Sequence, residues 1–166
     1  TPHRLPQYRP LNVHEVLVRV KGVVQAEFPQ IPIACDFDIS LPEIDADPEQ
    51  LTQATLNVVR NAAQALTGVP DPQIRLETRV ARGVTLAKKR HRLALALSIT
   101  DNGPGVPDAI RERIFYPLVS GRDGGSGLGL TIAQTFVAQH NGTIEWTSKP
   151  GHTVFTILLP LEMTRG

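Results

Sequence analysis

The stretch GRDGGSGLGLTIAQTF, residues 121–136, places a cluster of glycines immediately before an apolar segment. Five glycines fall between positions 121 and 129. A glycine-rich turn that opens a helix directs backbone N–H groups and the positive end of the helix dipole at an anion. The stretch therefore predicts a phosphate-binding turn followed by a helix over residues 127–140.

The turn matches neither of the two most familiar phosphate-binding loops. Counted from Gly125, the dinucleotide-binding pattern requires a third glycine where Leu130 stands. Counted from Gly124, the pattern G-x-x-x-x-G-K-[ST] requires a lysine at the same position. Because that lysine brings positive charge to the phosphates, its absence predicts that a metal ion supplies the charge. Mg²⁺, which accompanies nucleotide phosphates, prefers hard oxygen ligands.

A candidate source of such oxygens is the segment NVVRNAAQAL at residues 57–66. Asn57 and Asn61 are four residues apart, so a helix places them on one face. Two carboxamide oxygens on one face are able to bind a single cation. The alternative interpretation is a pair of solvated polar side chains on the outside of the helix.

A second short motif, DNGPGV at residues 101–106, follows a segment of alternating apolar residues. Gly103 and Gly105 leave room for a flat ring against the backbone. The Asp101 carboxylate is able to accept a hydrogen bond from an exocyclic amine on such a ring. The alternative interpretation is a plain turn in which the aspartate caps the backbone.

Hydrophobic periodicity predicts helices and strands along most of the chain. Helices are predicted at residues 13–28, 48–66, 107–114 and 127–140, and strands at residues 33–39, 74–80, 93–99, 144–146 and 153–159. The second helix has the strongest start, because Asp47 caps it, Pro48 takes the first position and Gln50 completes a capping box. These elements predict one α+β domain, a two-layer sandwich of a sheet with helices on one face.

The composition is that of a single globular domain. The chain has 166 residues, of which 41% are hydrophobic and 20% are charged, and its net charge is +1. The near-neutral charge gives no electrostatic case for nucleic acid. No apolar run approaches the roughly 18 residues that span a bilayer, and the single cysteine, Cys35, excludes an internal disulfide. We therefore expect a cytoplasmic protein without membrane or nucleic-acid partners.

The motifs NVVRNAAQAL, DNGPGV and IFYPLVSGRDGGSGLGL occur in an order that resembles the N, G1, F and G2 boxes of sensor histidine kinase catalytic domains. The same Bergerat-type superfamily includes the type II topoisomerase, Hsp90 and MutL ATPases. From about residue 11 to residue 160, including GHTVFTILLP at residues 151–160, the chain is most similar to the nitrogen-regulation NtrB type. The resemblance implies a helix layer on a mixed β-sheet.

The resemblance also implies ATP and Mg²⁺ as cofactors, with Asn61 as the metal ligand and Asn57 beside it. In the ATPase branches a glutamate one turn before the metal asparagine activates water, whereas Asn57 cannot act as a base. The implied reaction is therefore phosphoryl transfer to a histidine. Gln64 stands where many histidine kinases have a basic residue, and we expect Arg122 or Arg60 to supply the missing charge.

For the nucleotide itself, the resemblance implies that Asp101 binds the adenine amine and that Thr153 lines the adenine pocket. Phe115 would anchor the start of a mobile lid over ATP. The full set of implied nucleotide-binding residues is Asn61, Asp101, Gly103, Gly105, Phe115, Arg122, Gly125, Ser126, Gly127, Leu128, Gly129 and Thr153. The implied catalytic residues are Asn57, Asn61 and Arg122.

The resemblance further implies that the chain is part of a larger protein. We expect residues 1–10 to be a linker from an upstream dimerisation and phosphoacceptor domain, residues 11–160 the catalytic domain, and residues 161–166 a tail. The acceptor histidine would lie on the upstream domain, because His14 lacks the proline that follows the acceptor in the family motif. Expected partners are that domain, a response regulator receiver domain and a PII-type signalling protein. The full-length protein is expected to be a homodimer and the isolated domain a monomer.

Two questions stay open from the sequence. The superfamily also contains ATP-hydrolysing domains and domains in which nucleotide only orders a lid, and these are the alternative functions. The second question concerns a basic cluster between the two central strands, made of Arg82, Lys88, Lys89, Arg90, His91 and Arg92. Such a cluster is either a solvated hairpin tip or a docking surface for a partner.

Overall fold

The computed structural model describes residues 5–115 and 129–161. Its helices are α1 (Val13–Glu27), α2 (Pro48–Ala65) and α3 (Gly129–Gln139), with a 3₁₀ turn at Asp108–Arg113. Its strands are β1 (Arg9–Leu11), β2 (Ile33–Asp36), β3 (Ile44–Ala46), β4 (Ile74–Leu86), β5 (Lys89–Asp101), β6 (Thr143–Lys149) and β7 (His152–Pro160). Among the described residues, no helix combines the length and apolarity needed to cross a bilayer.

The main sheet has five strands in the order β2-β4-β5-β7-β6. Strand β2 pairs with β4 in parallel, whereas the other pairs are antiparallel, so the sheet is mixed. Alternate residues of β5 and β7, such as Leu97 and Ile157, face the helices and are fully buried with them in one core. This architecture agrees with the predicted two-layer sandwich.

Helix α2 begins where its capping signals predict. The Asp47 side chain is 1% exposed, and its Oδ1 accepts hydrogen bonds from the backbone N–H groups of Glu49 and Gln50 at 3.0 Å each. These bonds satisfy donors that the first helical turn otherwise leaves unpaired. The buried stripe of α2 comprises Gln50, Leu51, Ala54, Thr55, Val58, Val59, Ala62 and Ala63.

Helix α1 also follows its predicted bounds, with one difference on its inner face. Asn12 caps the helix by accepting a hydrogen bond from the backbone N–H of His14 at 2.9 Å. The spacing of Val16, Leu17, Val20, Val23 and Val24 predicts one buried stripe. Four of these residues are buried, whereas Val23 is 37% exposed, because the 3.6-residue period of the helix turns position 23 toward solvent at this end.

The strands predicted at residues 74–80 and 93–99 are longer in the structure, so most of the basic segment 82–92 lies in strands instead of a loop. Strands β4 and β5 continue into one long hairpin that closes between Leu86 and Lys89. The two turn residues, Ala87 and Lys88, adopt positive φ angles of 50° and 66°, the conformation that matches the twist of a two-residue hairpin turn. The pairing extends this far because Leu86 buries apolar surface at the tip.

Leu86 belongs to a small second cluster on the sheet face away from the helices. It is 2% exposed and packs with Ala94 of β5 and Leu158 of β7. The cationic side chains of the tip, by contrast, are exposed. The hairpin therefore has an apolar anchor beneath a basic outer surface.

Strand β2 ends earlier than predicted. The alternating pattern predicts a strand to residue 39, but the pairing of β2 with β4 stops at Asp36. The chain then turns, because the Asp38 carboxylate accepts hydrogen bonds from the backbone N–H of Ser40 at 3.0 Å and from its hydroxyl at 2.6 Å. As a result Ile39 is 89% exposed instead of buried.

A second sheet of two strands was not predicted from the sequence. Strand β1 pairs with β3 antiparallel, with Arg9 opposite Ala46 and Leu11 opposite Ile44. Arg9 and Pro10, which the sequence analysis placed in the linker, are thus part of the fold. Strands of three residues carry too little periodicity for recognition in isolation.

Replacing Leu86 by alanine is expected to lower the free energy of unfolding by about 2 kcal/mol, because the change removes buried methyl groups and leaves a cavity. Urea denaturation of the chain measures this. Thr85→Ala, at the exposed neighbouring position, is the matched control and is expected to stay within about 0.5 kcal/mol of the parent chain. Equal stability of the two variants would show that the tip is not anchored.

Candidate nucleotide-binding site

Asp101 is the last residue of β5, the central strand of the main sheet. It lies opposite Ile74 of β4 and Thr153 of β7 and is 5% exposed. Its Oδ1 accepts a hydrogen bond from the backbone N–H of Gly103 at 2.9 Å. The aspartate therefore caps the turn as one interpretation predicted. Because a carboxylate has further acceptor positions, this contact is compatible with binding an amine as well.

The two glycines of this turn lie where a side chain does not fit. A Cβ on Gly103 would lie 3.0 Å from Oδ1 of Asp101 and 3.1 Å from the carbonyl oxygen of Ala65. Gly105 has φ +93°, and a Cβ there would lie 2.9 Å from Oγ of Ser148. The turn thus packs its bare backbone against the end of α2 on one side and the end of β6 on the other.

Hydrogen bonds hold the turn to the β6–β7 hairpin. The Gly103 carbonyl accepts from the backbone N–H of Gly151 at 2.7 Å. The Ser148 hydroxyl accepts from the backbone N–H of Val106 at 2.9 Å and lies 2.7 Å from the hydroxyl of Thr153. Thr153, which is 4% exposed, is therefore placed beside Asp101 and joined to the turn through Ser148.

Ser148 was not identified from the sequence, and neither was its neighbour Arg111. The guanidinium of Arg111 lies 4.9 Å from the ring centroid of Trp146 and donates to the Ser148 carbonyl at 3.3 Å. Serine in a strand and arginine in a short 3₁₀ turn carry no recognisable motif. Only the packing of that turn on β6 brings them next to the glycine turn.

Asn57 and Asn61 lie one turn apart on α2, and both are partly buried. Both the oxygen and the nitrogen of the Asn57 side-chain amide form hydrogen bonds. Its Oδ1 accepts from Nε2 of Gln53 at 2.7 Å, and its Nδ2 donates to the carbonyl of Gly129 at 3.1 Å. Asn57 thus fastens the first residue of α3 to α2. A carboxamide oxygen has a second lone pair, so the pair still offers hard oxygen donors that suit Mg²⁺.

The residues on both sides of segment 116–128 are held by hydrogen bonds. The Phe115 carbonyl accepts from the Thr131 hydroxyl at 2.5 Å, and the Gly129 carbonyl is bonded to Asn57. Arg122, Gly125, Ser126, Gly127 and Leu128 belong to segment 116–128, which lies outside the described residues. Their predicted roles, and that of a mobile lid, therefore stay predictions.

Arg60, one of the two expected sources of positive charge, forms an ion pair with Glu27. Its Nε donates to Oε1 of Glu27 at 2.8 Å and its Nη2 to Oε2 at 2.6 Å. These hydrogen bonds lower the pKa of the Glu27 carboxyl, and the reverse effect raises the pKa of Arg60. Because Arg60 is engaged in this pair, which joins α2 to α1, Arg122 is the remaining candidate for supplying positive charge to the phosphates.

Comparisons with known proteins identify the family of this arrangement. Residues 46–163 match the family described as "Histidine kinase-, DNA gyrase B-, and HSP90-like ATPase". The sensory histidine kinase/phosphatase NtrB of Salmonella typhimurium is 49% identical over 151 residues, which are 90% of this chain and 43% of that protein. The chain thus spans less than half the length of this curated relative.

Solved structures share the fold. The mycobacterial sensor histidine kinase MprB is 27% identical with a TM-score of 0.76, over 93% of this chain and 97% of that chain. Full-length ShkA in complex with AMPPNP is 26% identical with a TM-score of 0.76, over 96% of this chain and 32% of that chain. The predicted fold class is confirmed, and this chain belongs to the family of histidine kinase-, DNA gyrase B- and HSP90-like ATPases.

Proposed function

We propose that this chain is the ATP- and Mg²⁺-binding catalytic domain of a two-component sensor histidine kinase of the nitrogen-regulation type. It transfers the γ-phosphoryl group of ATP to a histidine on a separate domain. The observation that carries the proposal is the glycine turn. It packs closely on α2 and β6 beside the buried Asp101 carboxylate, in a chain 49% identical to a sensory histidine kinase.

Adenine suits this place because its amine needs an acceptor, which Asp101 provides. The ring is proposed to lie against the turn of Gly103 and Gly105, whose missing side chains also let the turn pack on α2 and β6. Thr153 lies directly opposite Asp101 on the neighbouring strand β7. Its side chain is proposed to line the adenine pocket. The complex of ShkA with AMPPNP supports nucleotide binding by this fold.

Asn61 is the proposed metal ligand, and Asn57 has a double role. The amide of Asn57 positions the start of α3 through Gly129, and Asn57 lies one helical turn before Asn61 on α2. When bound, Mg²⁺ neutralises phosphate charge. We further propose that Arg122 adds positive charge and that Gly125, Ser126, Gly127, Leu128 and Gly129 surround the phosphates, with Phe115 at the start of the lid. Of these residues, only Phe115 and Gly129 belong to the described part.

Transfer is favoured over hydrolysis by the chemistry of position 57. A carboxamide does not accept a proton at neutral pH, so Asn57 cannot activate a water molecule for attack. Both ends of its amide are also engaged with Gln53 and Gly129. Phosphoryl transfer requires mainly positioning and charge neutralisation from the protein, which this set of residues is able to supply.

The acceptor histidine is proposed to lie on an upstream dimerisation domain of the full-length homodimer. His14 is unsuited to the role because it is part of the fold. Its Nε2 lies 2.8 Å from the hydroxyl of Thr78, and its ring stacks on Phe37 at 4.7 Å. Further proposed partners are a response regulator receiver domain and a PII-type signalling protein, in the cytoplasm.

The deciding experiment is phosphotransfer from γ-labelled ATP to an added phosphoacceptor domain. Label is expected on histidine with the parent chain. Asn61→Asp is expected to reduce the rate about 100-fold, because it places an anion beside the phosphates. Rapid hydrolysis without an acceptor would support the ATPase alternative, and nucleotide binding without any transfer would support a binding module.

Asp101→Asn is expected to weaken nucleotide binding by about 10- to 100-fold, because the change replaces an acceptor oxygen by a donor opposite the adenine amine. Calorimetric titration with ATP and Mg²⁺ measures this. Asp108→Asn, at an exposed position of the 3₁₀ turn, is the matched control and is expected to bind normally. Equal affinities of both variants would exclude Asp101 as the adenine-binding residue.

Reversing the charges of the hairpin tip tests whether its basic surface docks a partner. Lys88→Glu, Lys89→Glu and Arg90→Glu together are expected to weaken binding of the PII-type protein or the receiver domain at least tenfold, because complementary charges are lost. Surface plasmon resonance with each purified partner measures this. Arg19→Glu on α1 is the control. If both partners bind the triple variant normally, the tip is only a solvated surface.

A further inference from the structure

His140 follows α3 directly and is 7% exposed. Its Nε2 lies 3.0 Å from the backbone nitrogen of Asp47, and its Nδ1 lies 2.8 Å from the carbonyl oxygen of Phe136. A backbone N–H is only able to donate, so Nε2 must accept from Asp47. The proton of the neutral ring is then on Nδ1, which donates to Phe136. The contacts therefore assign both the charge state and the tautomer.

Three separate parts of the chain meet at this histidine. Besides capping α2, the Asp47 carboxylate accepts through Oδ2 from the backbone N–H of Gln7 at 2.7 Å. The ring of Tyr8 contacts that of His140 edge-on, with centroids 5.3 Å apart at 89°. The Tyr8 hydroxyl donates to the carbonyl of Gln139. We call this group of residues, Gln7, Tyr8, Asp47, Phe136, Gln139 and His140, the His140 junction.

We propose that His140, in its neutral Nδ1–H form, is a positioning residue that joins the segment at residues 7–8 to the start of α2 and the end of α3. The two helices also meet further along, where Asn57 near the middle of α2 bonds to Gly129 at the start of α3. Asn57 is ten residues from Asp47, or about 15 Å along the helix axis. Displacement of residues 7–8 is thereby transmitted to both helices. The part of this inference that concerns nucleotide rests on the proposed function.

Protonation of His140 opposes this arrangement. A proton on Nε2 removes the acceptor for Asp47 and places two N–H groups against each other. Burial lowers the pKa of His140, whereas the Phe136 carbonyl and the Asp47 carboxylate raise it by smaller amounts. The titratable groups that face the ring are the carboxylate of Asp47, the N-cap of α2, and the phenol of Tyr8 in the N-terminal segment. Burial and the Asp47 carboxylate raise the pKa of Tyr8.

The sign of the pH dependence follows from the lowered pKa. In the unfolded chain a histidine titrates near pH 6.5, and in the folded protein it titrates at lower pH. Between these values the unfolded state binds more protons, so stability falls as the pH falls. The junction is therefore complete above about pH 6.5 and opens as the pH drops through the folded-state pKa of His140.

Two substitutions separate the contacts of His140 without introducing charge. In His140→Gln, the amide reaches as far as Nε2 and is able to accept from Asp47, but does not titrate. In His140→Asn, the shorter amide is able to donate to Phe136 but does not reach Asp47. His152→Asn, at an exposed histidine, is the control for replacing an imidazole.

Amide hydrogen exchange of the chain without nucleotide tests the junction. At pH 7.5, the Gln7 and Asp47 amides are expected to exchange about tenfold faster in His140→Asn than in the parent chain, from the loss of one buried hydrogen bond. His140→Gln and His152→Asn are expected to stay within about twofold. After correction for intrinsic exchange, protection of Gln7 is expected to fall as the pH is lowered below about 6.5 in the parent chain but not in His140→Gln.

A purely structural role would speed exchange at core amides such as Leu97 as much as at Gln7, and this outcome would overturn the proposal. The proposal would also be overturned if the Gln7 amide in His140→Asn were as protected from exchange as in the parent chain. Should the variants fail to fold, long-range ¹H–¹⁵N spectra of the His140 ring in the parent chain test the proposal through its tautomer. The proposal requires a protonated Nδ1 and an unprotonated Nε2 at pH 7.5, and the opposite tautomer excludes it.

Coupling to the site is tested by adding AMPPNP with Mg²⁺. Binding is expected to slow exchange of the Gln7 amide at least twofold in the parent chain and in His140→Gln, but not in His140→Asn, since linkage between two sites is reciprocal. If calorimetry shows binding while Gln7 exchange stays unchanged in the parent chain, the coupling is excluded. If AMPPNP does not bind, the proposed function fails, and the exchange data without nucleotide still decide the junction.

Discussion

Burial of helix α2 against the sheet and its two neighbouring helices, α1 and α3, is the constraint on which the rest of the structure depends. Its apolar stripe, which includes Leu51, Val58 and Ala62, is removed from solvent, and such burial is the main stabilising contribution to a domain of this size. Close packing of this stripe resists movement of the helix along its axis. The polar contacts at its two ends fix its position further.

The two ends of α2 are held by different chemistry. At the start, the Asp47 carboxylate accepts from backbone N–H groups within α2 and from Gln7. At the other end, the carbonyl of Ala65 lies against Gly103, where no Cβ would fit. The asparagines of α2 and the aspartate of β5 belong to distant parts of the sequence. The contact of Ala65 with Gly103 places the end of the asparagine-bearing helix next to the turn that follows Asp101.

Local signals in the sequence predicted some elements well. Asp47, Pro48 and the apolar period placed α2 within a residue of its observed bounds, because capping and periodicity depend on neighbours in the chain. The DNGPGV motif was likewise located correctly, and its glycines proved to lie where side chains would clash. The strands of the β4–β5 hairpin extend further toward its tip than their periodicity indicated. They do so because Leu86 is buried with Ala94 and Leu158 on the far face of the sheet.

The sequence by itself determined the family of the chain, through the order of its motifs, and excluded the lysine-bearing phosphate loop at Leu130. Tertiary structure alone decided what the individual side chains do. Asn57 bonds to Gly129, 72 residues away, and His140 accepts from Asp47 across 93 residues. Arg60 pairs with Glu27, and Ser148 joins Thr153 to the glycine turn. Motif identity and helix capping act over a few residues, whereas these contacts exist only after the whole core has packed.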